Sequence, residues 1–204
     1  DLGFVKYFVL DEADEMLSMG FKTEIDKVLN QVPQDRKIYL FSATLSPKVK
    51  RVTETYMKKP LMISTSSANQ GADTVKHIYY ISNKSNRYDI IRNIIDLNQN
   101  IYTIIFCRTR RETKEISNKL IGHNYKAKVL NGDLSQAERD QVMDQFRTKK
   151  INILVATDVA SRGIDVNNLS HIINYNLPDD SEVYVHRSGR TGRAGNEGVS
   201  IAFI

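Results

Sequence analysis

The chain has 204 residues, enough for one large or two small domains, and 41% hydrophobic with 26% charged residues is the composition of an ordinary globular protein. Its 29 Lys and Arg against 24 Asp and Glu leave a net charge of +5, a mild excess that is compatible with nucleic acid as a partner without demonstrating it. The single cysteine, Cys107, excludes an internal disulfide and favours a cytoplasmic setting, and no apolar run is long enough to cross a bilayer.

The first part of the chain predicts short strands and two helices. The strands are apolar runs suited to burial on both faces of a parallel sheet, at residues 8–10, 37–41 and 61–64. The helices are residues 21–32 and 47–56, the second opened by Ser46 as N-cap and Pro47 at the first helical position. The buried face of the first helix is predicted to carry Phe21, Ile25, Val28 and Leu29.

A change of composition separates this part from the next. Residues 64–73 (STSSANQGAD) are small, polar and glycine-containing, which is typical of a linker, and we place the domain boundary at residues 66–75.

Beyond the linker, strands and helices alternate regularly. Strands are predicted at residues 77–81, 103–106, 127–130, 152–156, 171–174 and 199–203. Helices are predicted at residues 87–97, 113–121, 135–146 and 181–187, the third opened by a capping box of Ser135 and Glu138. The buried face of the helix at 87–97 is predicted to carry Ile90, Ile91, Ile94, Ile95 and Leu97. Such alternation predicts right-handed βαβ units around a parallel sheet, an α/β fold.

Acidic and hydroxyl side chains follow the first two strands, at the end where open α/β sheets bind ligands. Asp11, Glu12 and Asp14 come after the first strand. One or two carboxylates usually hold Mg²⁺ with a nucleotide, and a carboxylate at a strand end can orient or deprotonate a water. Ser42 and Thr44 follow the next strand and can bond to Asp14. A solvated acidic turn and a plain helix lead-in are the alternatives for the two loops.

Polar and basic residues also follow the strands of the second part. They lie at residues 106–111 (FCRTRR), at 131–133 (NGD) with Gln136 and Arg139 beyond, and at 157–165. Because the carboxyl ends of parallel strands share one rim, we expect these loops together to suit a phosphate backbone, although each loop alone could be polar simply because it faces solvent. Few aromatics are interleaved, so base stacking is not indicated. Cys107 is interpreted as a small buried residue, and the four histidines lack ligand spacing, which predicts no structural metal.

Three arginines spaced three residues apart stand in residues 183–195 (VYVHRSGRTGRAG), with glycines between them. They are Arg187, Arg190 and Arg193. The guanidinium fork matches phosphate oxygens two at a time, and two cations at this spacing can reach the same polyphosphate. A solvated basic face is the alternative for an isolated pair of this kind.

These segments together resemble the DEAD-box ATP-dependent RNA helicases of helicase superfamily 2. The matching segments are VLDEAD at 9–14, SAT at 42–44, IIFCRTR at 104–110, QxxR at 136–139, ATDVASRGID at 156–165 and HRSGRTGR at 186–193. The resemblance implies RecA-like parallel sheets with flanking helices, as in P-loop NTPases. Residues 1–65 would be the C-terminal part of a first domain, and 76–204 a nearly complete second domain. A weaker likeness to cold-shock or ribosome-assembly types implies ribosome-assembly or RNA-decay proteins as partners.

The resemblance also assigns roles in the use of ATP and Mg²⁺. Asp11 would hold Mg²⁺ through water, and Glu12 would position or activate the attacking water. Asp165 would bond to the ATP ribose, and Arg190 and Arg193 would be arginine fingers on the γ-phosphate.

The remaining roles concern RNA and its coupling to ATP. Asp14 would bond to Ser42, Thr44 and His186 and so link the two sites. The residues implied to contact the RNA backbone, without reading its sequence, are Arg110, Gly132, Gln136, Arg139, Thr157 and Gly163, the last also beside the nucleotide.

One family motif does not occur in these 204 residues, the phosphate loop G-x-x-x-x-G-K-[ST]. We therefore expect the chain to be a fragment at both ends that lacks the phosphate-loop half of its first domain, with negligible ATPase alone and RNA unwinding by its intact parent. We also expect residues 1–65 to be poorly stable unless a partner chain supplies the missing strands. Two alternatives remain: a truncated, non-enzymatic half that binds RNA or a partner protein, and a superfamily 2 DNA helicase. The intact DEAD, SAT and arginine residues count against the first, and DEAD with His186 against the second.

Overall fold

The computed structural model describes residues 1–64, 74–161, 166, 168–193 and 195–204. The chain divides into two compact units, Asp1–Gln70 and Gly71–Ile204. Most of the predicted linker falls in residues 65–73, outside the described residues.

The first unit pairs two parallel strands with helices. The strands are β1 (Tyr7–Leu10) and β2 (Lys37–Leu40), in register from Tyr7 opposite Lys37 to Leu10 opposite Leu40. The helices are α1 (Ala13–Ser18), α2 (Lys22–Leu29) and α3 (Pro47–Tyr56). One face of the strand pair packs on an apolar core of helix side chains that includes Leu17, Ile25, Leu29, Val49 and Val52. Against the expectation of burial on both faces, the other face exposes Tyr7, Val9 and Tyr39.

The local signals of the first unit are partly confirmed. The Oγ atom of Ser46 accepts a hydrogen bond from the Val49 amide at 3.4 Å, so α3 begins where its cap predicts. The predicted face of α2 is wrong at Phe21 and Val28, which are exposed, because α2 buries only the stripe of Ile25 and Leu29. The strand predicted at residues 61–64 is absent, and its apolar side chains lie in solvent.

The second unit is built on six parallel strands in the order β3-β8-β7-β4-β6-β5. They are β3 (Val75–Tyr80), β4 (Thr103–Phe106), β5 (Ala127–Leu130), β6 (Ile153–Ala156), β7 (His171–Asn174) and β8 (Gly198–Phe203). The helices are α4 (Arg87–Leu97), α5 (Arg110–Gly122), α6 (Gln136–Arg147), α7 (Asp158–Ser161) and α8 (Ser181–Ser188). The predicted α/β class is confirmed.

The core of the second unit lies on both faces of this sheet. Every residue of β4 and β6 is buried, and Ile104 and Ile105 enter apolar clusters on opposite faces. Strands buried on both faces read as continuous apolar runs, which is why both were predictable. The predicted face of α4 is wrong at Leu97, which is 84% exposed at the helix end, while Tyr88 is buried in its place.

Two capping boxes fix the starts of α5 and α6. Ser135 and Glu138 form the predicted box at α6. A second box, of Thr109 and Glu112, was not predicted and starts α5 at Arg110, three residues before the expected start at residue 113. In the described part of the chain, no helix is long and apolar enough to cross a membrane.

Candidate nucleotide and nucleic-acid site

The carboxyl ends of β1 and β2 are tied together by backbone hydrogen bonds. The Phe41 amide donates to the Leu10 carbonyl at 2.7 Å, and the Ala13 amide donates back to the Phe41 carbonyl at 3.0 Å. Glu12 between them has φ 50°, a left-handed conformation that is uncommon outside glycine and is typical of functional turns. The turn leaves the Asp11 side chain exposed, where its Oδ1 accepts from the Glu12 amide at 2.9 Å.

Asp14 joins this turn to the loop after β2. Its side chain is 2% exposed, and its Oδ2 accepts from both the amide and the hydroxyl of Thr44, each at 2.8 Å. The hydroxyl of Ser42 donates to the Thr44 carbonyl at 2.6 Å and so stiffens the same loop. The structure therefore brings Asp14 and Thr44 together as the sequence suggested, with Ser42 beside them. His186 lies in the last turn of α8, in the second unit.

The acidic turn offers few ligands for a metal. No group of three or more His, Cys, Asp or Glu side chains that could hold a metal occurs within the described residues. Asp11 and Glu12 supply carboxylate oxygens, which suit Mg²⁺ when water and phosphate oxygens complete its shell.

On the rim of the second unit, Asp133 holds two cations. Its Oδ1 lies 3.0 Å from Nη1 of Arg110 and its Oδ2 lies 2.5 Å from Nζ of Lys114. Both hydrogen bonds lower the pKa of Asp133 below its ordinary value, and the one from Lys114 has the larger effect. A Cβ at Gly132 would meet the Arg110 guanidinium at 3.1–3.3 Å, so the guanidinium lies directly over the glycine backbone. Arg110 and Gly132, both predicted RNA contacts, are thus adjacent.

The next predicted contacts lie at the starts of α6 and α7. Nε2 of Gln136 donates to Oδ1 of Asp140 at 2.8 Å, within α6. Nη2 of Arg139 donates to the Ala160 carbonyl and so joins α6 to α7. The Thr157 amide donates to the Leu130 carbonyl at 3.3 Å, which places it where β5 and β6 end. Gly163 and Asp165 lie outside the described residues.

Arg187 differs from the other two arginines of its motif, because it is buried. It is 4% exposed, and it donates to both carboxylate oxygens of Asp158 at 2.6 and 2.8 Å. It also donates to Oδ1 of Asn174 at 2.9 Å and stacks over the Phe106 ring, 4.9 Å from the centroid. Sequence reasoning missed this network. The available signal was Asn174, a polar residue ending a buried strand, which requires a buried partner.

Arg190 and Arg193 follow the end of α8 in a tight turn. Arg190 is half-buried and Arg193 is exposed, with its Nε donating to the Gly189 carbonyl at 2.7 Å. Gly192 between them has φ 68°, which glycine adopts readily.

Cys107 directly follows β4 and is fully buried, as expected of a small core residue. Burial raises the pKa of its thiol well above the ordinary value. Burial thus disfavours the thiolate, which is the reactive form of a cysteine.

Known protein families and individual proteins match this chain over most of its length. The helicase conserved C-terminal domain matches residues 86–195, more than half of the chain, and the DEAD/DEAH box helicase family matches residues 1–52. The chain belongs to the DEAD-box helicase family. This DEAD-box chain is 42% identical over 203 residues to ATP-dependent RNA helicase CshA of Limosilactobacillus reuteri. The alignment covers 100% of this chain and 41% of that protein. The corresponding CshA of Geobacillus kaustophilus is 40% identical, with 100% and 44% covered. The chain spans about two fifths of the length of these curated relatives.

Solved DEAD-box structures share the fold. A DEAD box protein from the hyperthermophile Methanococcus jannaschii is 43% identical with a TM-score of 0.63, covering 100% of this chain and 55% of that one. S. cerevisiae Dbp5 bound to RNA and ADP BeF3 is 33% identical with a TM-score of 0.89, covering 100% and 54%. These neighbours confirm the RecA-like character of the sheets.

Proposed function

We propose that this DEAD-box chain forms part of an ATP-dependent RNA helicase, which couples ATP hydrolysis to separation of RNA strands. The observation that carries the proposal is the buried hydrogen bonding of Asp14 to both the amide and the hydroxyl of Thr44. It joins the acidic turn to the SAT loop, and a satisfied buried network of this kind is stiff enough to pass a displacement from one loop to the other. The names of the curated relatives support the same activity.

In this proposal the two units are the two RecA-like domains of the enzyme. Residues 1–65 are the C-terminal part of the first, 66–75 the linker and 76–204 the second. The second unit has six parallel strands in one sheet, which supports its assignment as the nearly complete domain, and the described residues of the first unit have two.

The acidic turn would serve the hydrolysis step. Asp11 would hold Mg²⁺ through water, and the ion when bound neutralises phosphate charge. Glu12 orients the attacking water or accepts its proton, and its left-handed backbone turns the chain at the strand end where a nucleotide would lie.

The arginine turn would serve the same step from the second unit. Arg190 and Arg193 are the fingers that stabilise negative charge on the γ-phosphate, an effect of order 10³-fold or more in this chemistry. Asp165 and Gly163 would contact the nucleotide. Arg187 takes no part, because its guanidinium is already committed to Asp158 and Asn174.

The rim of the second unit would bind the RNA backbone. Its residues in this role are Arg110, Gly132, Gln136, Arg139, Thr157 and Gly163. Cations and backbone groups recognise phosphate without reading sequence, and A-form geometry with the 2′-OH favours RNA over DNA. Asp14, Ser42, Thr44 and His186 would couple this rim to the ATP site.

The proposal extends to the cellular location and the partner proteins. We propose a cytoplasmic enzyme that acts with ribosome-assembly or RNA-decay proteins. The single cysteine, which can form no internal disulfide, supports the cytoplasmic setting.

A chimera tests the activity. The segment of the L. reuteri relative that precedes the aligned region would be joined to residues 1–204, because the phosphate-loop motif does not occur in these residues. We expect RNA-stimulated ATP hydrolysis and separation of short RNA duplexes, both abolished by Glu12→Gln. The 204-residue chain alone is expected to bind RNA with negligible ATP turnover.

Different outcomes separate the alternatives. RNA-stimulated turnover by the 204-residue chain alone contradicts the expected need for a phosphate loop. RNA binding by a well-folded chimera that never hydrolyses ATP supports the non-enzymatic module instead. Equal separation of DNA and RNA duplexes favours a DNA-directed enzyme.

A further inference from the structure

The turn between Arg190 and Arg193 is held from two sides by threonine hydroxyls. Oγ1 of Thr191, which is 1% exposed, donates to the Leu169 carbonyl, beside an isolated parallel bridge between the same two residues. Oγ1 of Thr74 donates to the Gly192 carbonyl at 2.7 Å, from a residue 118 positions earlier in the chain. The second bond therefore fixes the turn to a distant part of the sequence.

Thr74 is itself anchored to the edge of the sheet. Its carbonyl accepts from the Gly198 amide at 2.9 Å, and Val75, the first residue of β3, lies opposite Gly198 in β8. The backbone of Thr74 is thus held by the sheet while its hydroxyl holds the turn. A side chain with its backbone fixed in this way loses little entropy when it makes a further bond.

The packing at Gly192 leaves no slack between the turn and the start of β3. A Cβ at this position would lie 2.6 Å from Cγ2 of Val75 and 2.9 Å from Oγ1 of Thr74. With φ at 68°, the side of the Gly192 Cα atom where another residue would carry its Cβ points toward Val75 and Thr74. Any movement of Thr74 or Val75 toward the turn must therefore displace it.

Displacement of this turn matters for the groups that it carries. Arg190 precedes the turn and Arg193 follows it, so the orientation of both depends on the backbone at 191 and 192. Groups that stabilise a transition state must be placed closely, and an error of about 1 Å can cost about 100-fold in rate.

We propose that Thr74 is a positioning residue for the arginine pair. Its hydroxyl sets the place of the Gly192 carbonyl and, through it, the reach of Arg190 and Arg193. The inference rests on the proposed role of the two arginines in ATP hydrolysis.

The test compares hydroxyl removal with hydroxyl retention in the chimera described above. Thr74→Val removes the donor and keeps the shape, and we expect kcat to fall about tenfold while KM for ATP and RNA affinity stay within about twofold. Thr74→Ser keeps the donor and is expected to retain most of the rate. Thr148→Val is the matched control, because its hydroxyl also donates to a carbonyl, that of Asp144 at 2.7 Å, at an exposed helix end.

Arg190→Ala and Arg193→Ala in the same chimera separate the two possible failures. If neither lowers kcat, the proposed role of the arginines is wrong. If both lower it and Thr74→Val does not, the positioning role alone is wrong. Equal losses for Thr74→Val and Thr74→Ser, or a fall in kcat only together with a lower melting temperature, also overturn the positioning role.

A second measurement needs no ATP hydrolysis. Amide hydrogen exchange in the 204-residue chain reports on the turn through the amides of Arg190 and Thr191, which donate to the carbonyls of Arg187 and Ser188 at 3.1 Å each. We expect Thr74→Val to speed their exchange and Thr148→Val to leave it unchanged. Unchanged exchange in Thr74→Val contradicts the proposal.

Discussion

In the described part of the chain, two charged residues are almost completely buried. They are Asp14, at 2% exposure, and Arg187, at 4%. Removing a charge from water costs several kcal/mol unless hydrogen-bonded partners surround it. Asp14 has Thr44, and Arg187 has Asp158 and Asn174. Each charge therefore joins loops at strand ends, Asp14 in the first unit and Arg187 in the second.

Arg187→Ala is expected to destabilise the second unit by about 3 kcal/mol or more, because it leaves Asp158 and Asn174 without their shared donor. Urea unfolding followed by the NMR signals of β4 amides measures the change. Arg111→Ala is the matched control, since the Arg111 side chain is 88% exposed and forms a surface ion pair with Glu115, and should cost less than about 1 kcal/mol. Equal effects of the two variants contradict the structural role of Arg187.

Thr44→Val is expected to weaken the first unit by about 1.5–3 kcal/mol, the range for a hydrogen bond to a charged group. It removes the hydroxyl donor to the buried Asp14 and leaves the backbone donor in place. Amide exchange of α1 in the chimera described above measures the loss. Thr44→Ser should retain protection, and so should Thr53→Val, whose hydroxyl donates to the Lys50 carbonyl at an exposed site. If Thr44→Val matches Thr53→Val, the hydroxyl does not hold Asp14.

At the scale of elements, Asp26 ties α2 to α3. Oη of Tyr56 donates to its Oδ1 at 2.7 Å, and Nζ of Lys22 lies 2.6 Å from its Oδ2. The hydrogen bond from Lys22 and then that from Tyr56 lower the pKa of Asp26 below its ordinary 3.8. The folded state therefore binds fewer protons than the unfolded state just below that pH. The stabilisation is present above the unfolded pKa and is lost as the pH falls through the folded one.

Tyr56→Phe is expected to flatten this acid dependence, because it removes one of the two donors that lower the pKa of Asp26. Urea unfolding of the first unit in the chimera described above, at about pH 5 and about pH 3, measures it, with α3 amides as the probe. Tyr79→Phe, at a residue 65% exposed on β3, controls for the loss of a tyrosine hydroxyl. An undiminished fall of stability in acid shows that the hydrogen bond does not set the pKa of Asp26.

The sequence predicts elements best where one physical signal dominates. The central strands are apolar throughout, and Ser46-Pro47 and the Ser135 box are complete caps, so their starts agree with the structure within a residue. Helix α7 has only four residues, too few for any periodicity. The strand predicted at 61–64 had apolar composition alone, and composition cannot show whether a partner strand lies alongside.

The contacts of the candidate site were likewise predictable from the sequence only in part. Motif order and the rule for strand carboxyl ends placed Asp14 with Thr44 and Arg110 with Gly132. The pairing of Arg187 with Asp158 and of Gly192 with Thr74 could not be found in this way, because Arg187 lies within helix α8 and Thr74 precedes β3, so neither is at a strand carboxyl end. Such contacts depend on strand order, which spacing along the chain does not contain.

At the scale of the whole molecule, the net charge of +5 is small, so a nucleic-acid interface must depend on where the cations lie. The rim of the second unit gathers Arg108, Arg110 and Lys114, all more than half exposed. Asp179 and Asp133 hold these cations in place. A rim ordered before binding reduces the entropy lost when RNA is bound.

Arg110→Ala is expected to weaken the binding of single-stranded RNA by the same factor for every sequence, because a phosphate contact carries no base information. The slope of log affinity against log salt should become shallower by about 0.7, the value for one phosphate contact on a single strand. Fluorescence anisotropy with oligo-U and oligo-A across a salt series measures both. Arg111→Ala removes the same charge one residue away, from a side chain that is not among the six residues proposed to contact the RNA backbone, and should change neither the affinity nor the salt slope appreciably. A loss that differs between the two sequences places Arg110 on a base, and an unchanged slope removes it from the phosphate backbone.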